Sequence, residues 1–102
     1  MATQAQNLRR YDEARRLWNE FDPLLAALPG GVEDEYDSYI GPSLRVCMSG
    51  GSKDDLLTYI EQVIYETMGL TKSPQLDRSI STFTERFYHW FRTSELEHQS
   101  ED

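Results

Sequence analysis

Ser73-Pro74-Gln75-Leu76-Asp77-Arg78-Ser79-Ile80-Ser81-Thr82-Phe83-Thr84-Glu85-Arg86-Phe87-Tyr88-His89-Trp90-Phe91 carries the cleanest periodicity in the chain. Leu76, Ile80, Phe83, Phe87, Trp90 and Phe91 recur three and four apart, the spacing that aligns side chains along one face of a helix and not along a strand. Its start is also written in the residues. Ser73 supplies a side-chain oxygen for the open N–H groups of the first turn, Pro74 lacks only a donor that the first turn does not use, and Asp77 adds negative charge there. Phe87-Tyr88-His89-Trp90-Phe91 puts aromatics almost all round the helix, whereas a buried stripe covers roughly 100°. At least one of Tyr88 and Trp90 is therefore expected to face solvent or a partner. The polar stretch from about Glu95 to Asp102 is expected to fray.

Working back towards the N-terminus, the same spacing recurs between clusters of Gly and Pro. Ser52 before Lys53-Asp54-Asp55 reads as a helix cap with an acidic first turn. Leu56, Ile60, Val63, Ile64, Thr67 and Met68 then form a buried stripe, and Gly69 suits a left-handed stop. The preceding helix is expected to begin near Asp34 and to carry Tyr36, Ile40, Leu44 and Cys47 on one face, ending at Ser49-Gly50-Gly51. Gly41-Pro42 lies inside it, and a kink is expected there because proline removes one backbone hydrogen bond. A first helix over about residues 4–21 buries Leu8, Tyr11, Ala14, Leu17, Trp18 and Phe21. Asp22-Pro23 stops it and opens a short turn through Leu28. Four helices with short connections predict an all-α fold, a compact bundle of about four helices in one domain spanning residues 1–102.

The 102 residues hold 10 Lys and Arg against 18 Asp and Glu, a net charge of −8. That balance argues against nucleic acid or an anionic membrane as partner and favours a basic one. Twelve per cent aromatic and 38% hydrophobic residues are enough for a folded core. One cysteine, Cys47, and two well-separated histidines, His89 and His98, offer no metal-ligand spacing, so neither metal nor cofactor is expected. The first residues lack the basic start and apolar run of a signal peptide, and no apolar stretch is long enough to span a bilayer, which predicts a cytoplasmic protein.

Charge is unevenly spread. Residues 1–16 carry +2, leaving −10 for residues 17–102, and Leu17 to Asp37 contains six acids and no base. Acids at a helix start are ordinary. Interleaved with Tyr36 and Tyr39, they also make a surface able to steer and anchor a basic protein. The candidate contact set is Asp22, Glu33, Asp34, Glu35, Tyr36, Asp37 and Tyr39. No catalytic residue is expected. Adjacent acids at a helix start diverge around the axis, with no His, Lys or Cys nearby to complete a nucleophile and base. Asp34-Glu35-Tyr36-Asp37 also lacks the alternating ligands and turn glycine of a calcium loop. Cys47, on an apolar face, reads as a small core residue, and Gly50-Gly51 as a connector without the Lys and Ser or Thr of a phosphate loop.

Trp18-Asn19-Glu20-Phe21-Asp22-Pro23-Leu24, Asp34-Glu35-Tyr36-Asp37-Ser38-Tyr39-Ile40 and Met68-Gly69-Leu70 together resemble a bacterial family of small acidic proteins of unknown function. Its members typically read Asn-Glu-Trp-Asp-Pro-Ile-Gly, then Glu-Asp-Glu-Tyr-Asp and a Tyr, with a helix ending near Met-Gly-Leu. The likeness covers about residues 17–70. Phe21 departs from it where Trp is usual, as does the longer Leu25 to Gly31 loop. Some members resemble immunity partners of secreted toxins. The resemblance thus implies an α-helical immunity protein that neutralises a toxin domain with a basic surface. The alternative is a self-associating structural or adaptor domain, a homodimer built on the aromatic fourth helix.

Overall fold

In a computed structural model, the backbone is described for residues 4–21 and 36–100, and side chains for residues 9–21 and 36–94. Four helices account for nearly all of it: α1 (Gln4–Phe21), α2 (Asp37–Met48), α3 (Lys53–Gln62) and α4 (Pro74–Ser100), with no strand among the described residues. The principal packing runs in a ring, α1 on α2, α2 on α3, α3 on α4 and α4 back on α1. This is the all-α bundle the periodicity predicts. No helix among the described residues is long and apolar enough to cross a membrane.

The core is drawn from the expected stripes: Ala14 and Trp18; Tyr36, Ile40, Leu44 and Cys47; Leu56, Ile60, Val63 and Ile64; Ile80, Phe83, Phe87 and Phe91. Trp18 sits at its centre with no exposed surface. Its ring meets Phe21 at 5.9 Å, Tyr36 at 5.9 Å, Tyr39 at 5.7 Å and Phe83 at 4.8 Å, so one side chain ties α1 to α2 and α4. A buried indole still needs an acceptor. Ser43 provides it: Trp18 donates to Ser43 Oγ at 3.2 Å, and Ser43 donates in turn to the Tyr39 carbonyl at 2.7 Å. A serine on the apolar face of α2 is thus fully satisfied inside the core.

Several local expectations hold and others are revised. Ser52 and Asp55 form a reciprocal capping box, Asp55 N–H to Ser52 Oγ at 3.1 Å and Ser52 N–H to Asp55 Oδ2 at 2.9 Å. Ser73 Oγ likewise accepts from Leu76 N–H at 3.1 Å. Gly69 adopts φ 70°, the left-handed stop. Gly51 is required for space, because an added Cβ would lie 2.5 Å from the Val46 carbonyl oxygen.

Two boundaries differ. The second helix starts at Asp37, with Tyr36 as a turn residue that makes no side-chain cap, and runs unbroken through Pro42. The third ends in a widened turn, Val63–Thr67, whose i→i+5 pattern is sealed by Met68 N–H to the Val63 carbonyl at 2.8 Å. The fourth is helical as far as Ser100. No Gly or Pro interrupts Glu95 to Ser100, and Glu, Leu and Gln are good helix formers. The short turn expected over Asp22 to Leu28 falls outside the described residues.

The surplus of aromatics on α4 is absorbed mostly from within. Trp90 turns towards α1, its indole donating to Glu13 Oε2 at 3.0 Å, and packs edge-on against Phe87 at 5.3 Å. Tyr88 is half-buried and borders an open recess with Lys53 of α3.

Candidate functional site

The acidic stretch enters the described structure at Tyr36, and there the chain is held firmly. Tyr36 is 1% exposed and stacks on Trp18, so its side chain belongs to the core and not to a contact surface. The sequence offers two readings of Tyr36, in the stripe with Ile40 and Leu44 and in the acidic contact set, and its burial supports the first. Asp37, at the first position of α2, is clamped by Arg15 in a two-pronged pair. Arg15 Nε lies 3.0 Å from Asp37 Oδ1, and a guanidinium NH2 nitrogen lies 3.1 Å from Oδ2. The side chains are 38% and 31% exposed, so the pair sits at the solvent boundary.

Around it the contacts reinforce one another. The Tyr11 hydroxyl donates to the Asp37 backbone carbonyl at 3.2 Å, and the Arg15 guanidinium lies 5.4 Å from the Tyr11 ring centroid. Asp12 approaches Arg15 at 3.7 Å from one helical turn back. The hydrogen bond to Asp37, above all, holds the Arg15 pKa above its ordinary value, opposed in part by burial. An acid at a helix start is favoured by the backbone dipoles as well. Asp37 therefore meets two positive influences at once, the guanidinium and the N-terminus of α2.

Tyr39 is half-buried against Trp18. It lies near Tyr59 of α3, whose phenol is pushed up from its ordinary pKa by burial first and by Tyr39 second, while Arg45 lowers it. Of the seven candidate residues, the structure thus places Tyr36 and Tyr39 against Trp18 and Asp37 in the clamp with Arg15. Asp22, Glu33, Asp34 and Glu35 lie outside the described residues.

Comparison with protein-family models, with curated proteins and with solved structures finds no match. The site rests on this chain's own geometry.

Among the described residues no three His, Cys, Asp or Glu side chains come together as a metal site. Cys47 is buried among Leu44 and the other core residues. Arg15 had no signal in the sequence, because a partner 22 residues away across an intervening loop leaves no periodic trace. A second feature was legible and passed over. Arg78, Thr82, Glu85, His89 and Arg92 follow one another at intervals of four, three, four and three, and all are exposed on the outer face of α4.

Proposed function

We propose that the protein is a binding domain of the immunity type, which neutralises a toxin by covering a basic functional face and performs no catalysis itself. The observation that carries this reading is the anchoring of the acidic run at its C-terminal end. Glu33, Asp34 and Glu35 lead directly into Tyr36, buried on Trp18, and Asp37, clamped by Arg15. A charged segment tied to a rigid core at its foot loses less conformational freedom on binding than a free tail, which favours affinity. Acidic side chains there accelerate encounter with a basic partner and discriminate against acidic ones.

In this reading Asp22, Glu33, Asp34 and Glu35 make the contacts. Tyr36 and Asp37 position them, and Tyr39 closes the apolar edge. The protein works in the bacterial cytoplasm, where a producing cell needs protection. The aromatic fourth helix gives less support to self-association, since Trp90 is engaged with Glu13 of its own chain.

Co-expression with the product of the neighbouring gene, followed by size exclusion and a growth test, examines the proposal. A stable complex that restores growth is expected. The triple variant Glu33→Lys, Asp34→Lys, Glu35→Lys should lose complex and rescue together, whereas Glu61→Lys on α3 with Glu66→Lys in the widened turn should keep both. Rescue that survives the triple variant would remove the acidic run as the interface. A mass that rises with concentration in the absence of any toxin would favour the self-associating alternative.

A further inference from the structure

The chain as a whole is strongly acidic, yet one helix face is not. Between Arg78 and Ser94, α4 carries three arginines and a single acid, Glu85. Arg78, His89 and Arg92 lie on the outermost line of the helix, opposite the buried Ile80, Phe87 and Phe91. Arg86 flanks that line on the side of α1, where it reaches Glu20 at 3.0 Å. Lys53 flanks it from the start of α3, 3.3 Å from Glu85.

Two recesses open along this face and share Arg86. One, of about 510 Å³, is bordered by Lys53, Glu85, Arg86, Tyr88, His89 and Arg92. The other, of about 310 Å³, includes Arg78 and has Leu17, Phe21 and Phe83 in its lining, with Phe21 stacked on Phe83 at 4.4 Å. Cationic groups thus alternate with apolar and aromatic surface, a combination suited to a partner carrying acids and an occasional hydrophobic side chain.

We propose that this face of α4, with Lys53 of α3, is a docking surface for an acidic peptide segment of another protein. Charge complementarity chooses the occupant. Arg78 and Arg92 have no ion-pair partner among the described residues, while Lys53 and Arg86 meet acids only in exposed pairs that cost little to exchange. Glu85 and, at the α1 edge, Glu20 are the opposing charges, offset by Lys53 and Arg86, which leaves Arg78 and Arg92 as the surplus positive charge of the face. The net charge of −8 repels anions at a distance, but at physiological salt that repulsion fades beyond about 8 Å, so the local sign of the face decides contact. Length follows from the spacing. Arg78 to Arg92 spans about 21 Å at roughly 1.5 Å per helical residue. An extended peptide covers that distance with about six or seven residues at roughly 3.3 Å each. A long polyanion such as nucleic acid would run beyond the stripe onto the acidic remainder and meet repulsion there.

A fluorescein-labelled octapeptide, Glu-Asp-Glu-Phe-Asp-Glu-Glu-Asp, tests the surface by fluorescence anisotropy on the full chain at physiological salt. Saturable binding is expected, with an octapeptide of Gln and Phe binding at least about tenfold more weakly. The variant Arg78→Gln, Arg86→Gln, Arg92→Gln should lose at least about tenfold in affinity for the acidic peptide. Its circular dichroism and melting temperature should stay near those of the parent, because all three side chains are exposed. Replacing Arg45 of α2 by Gln, away from the stripe, should leave affinity unchanged. Equal binding to the triple variant or to the Gln peptide would overturn the proposal. So would tighter binding of a single-stranded oligonucleotide of eight nucleotides than of the acidic octapeptide.

Discussion

Cutting the clamp between Arg15 and Asp37 from each side yields a measurable and asymmetric loss. The pair has two near-parallel N–H···O contacts, at 3.0 and 3.1 Å, and both side chains are about one third exposed. Exposed pairs contribute about 0.2–1 kcal/mol and charged hydrogen bonds in general about 1.5–3 kcal/mol. Partial solvent screening places this one at the upper end of the exposed-pair range, at about 1 kcal/mol. Asp37 also benefits from the α2 N-terminus, worth roughly 0.5 kcal/mol more at an exposed position. Asp37→Asn should therefore cost about 1.5 kcal/mol and Arg15→Met about 1 kcal/mol, with a coupling near 1 kcal/mol in the double variant. A loss of that size lowers the melting temperature by about 4–8 °C per kcal/mol in a domain of this length. Urea unfolding of the four proteins measures the cycle, and 1 M NaCl should shrink the coupling. Equal costs for the two single variants would show that the helix-terminus contribution is misassigned. A coupling below about 0.3 kcal/mol would refute the clamp as a stabilising contact.

Three further outcomes follow from features of the core and the turns. Ser43→Ala should destabilise by about 1–3 kcal/mol, because it leaves the buried Trp18 N–H without its acceptor, and Ser43→Thr should recover part of the loss in urea unfolding. Gly51→Ala should cost at least about 2 kcal/mol, since its methyl would meet the Val46 carbonyl oxygen at 2.5 Å, and crystallography of the variant should show the loop displaced. Tyr65 donates to Asp77, and burial together with that bond pushes its phenol up to about 12 from an ordinary 10.0. A raised folded value means the stabilisation is fully present below pH 10 and is lost as pH rises through about 12, so Tyr65→Phe should flatten the urea midpoint across that window.

Helix existence and the buried stripes were readable because amphipathic spacing is a local property: Ile80, Phe83, Phe87 and Phe91 announce their common face within a few turns. Caps were readable for the same reason, and Ser52 with Asp55 needed only four consecutive residues. The widened turn at Val63–Thr67 was not, since a single-residue change of hydrogen-bond register barely disturbs the pattern of apolar positions. Tyr36 belongs by sequence both to the stripe of the second helix and to the acidic run, and only the packing on Trp18 decides between them. Ser43 was invisible as a core residue because its polarity is matched only by a tryptophan on another helix. Charge, finally, was summed along the sequence, which concealed that Arg78, Arg86 and Arg92 share the outer side of α4 inside an acidic chain.

The two tryptophans share the helices they join. Trp18 joins α1 to α2 and α4 through its ring contacts, and Trp90 joins α4 to α1 through Glu13. None of the ring or hydrogen-bond partners of either, among the described residues, lies on α3. Intrinsic fluorescence therefore watches the α1, α2 and α4 junction most directly, and α3 with its widened final turn only through the shared core. Far-ultraviolet dichroism weighs every helix alike. If α3 peels away before the rest, the dichroic signal will fall at a lower denaturant concentration than the emission shifts. Coincident curves would instead make the bundle a single cooperative unit, with the tryptophans reporting on all of it.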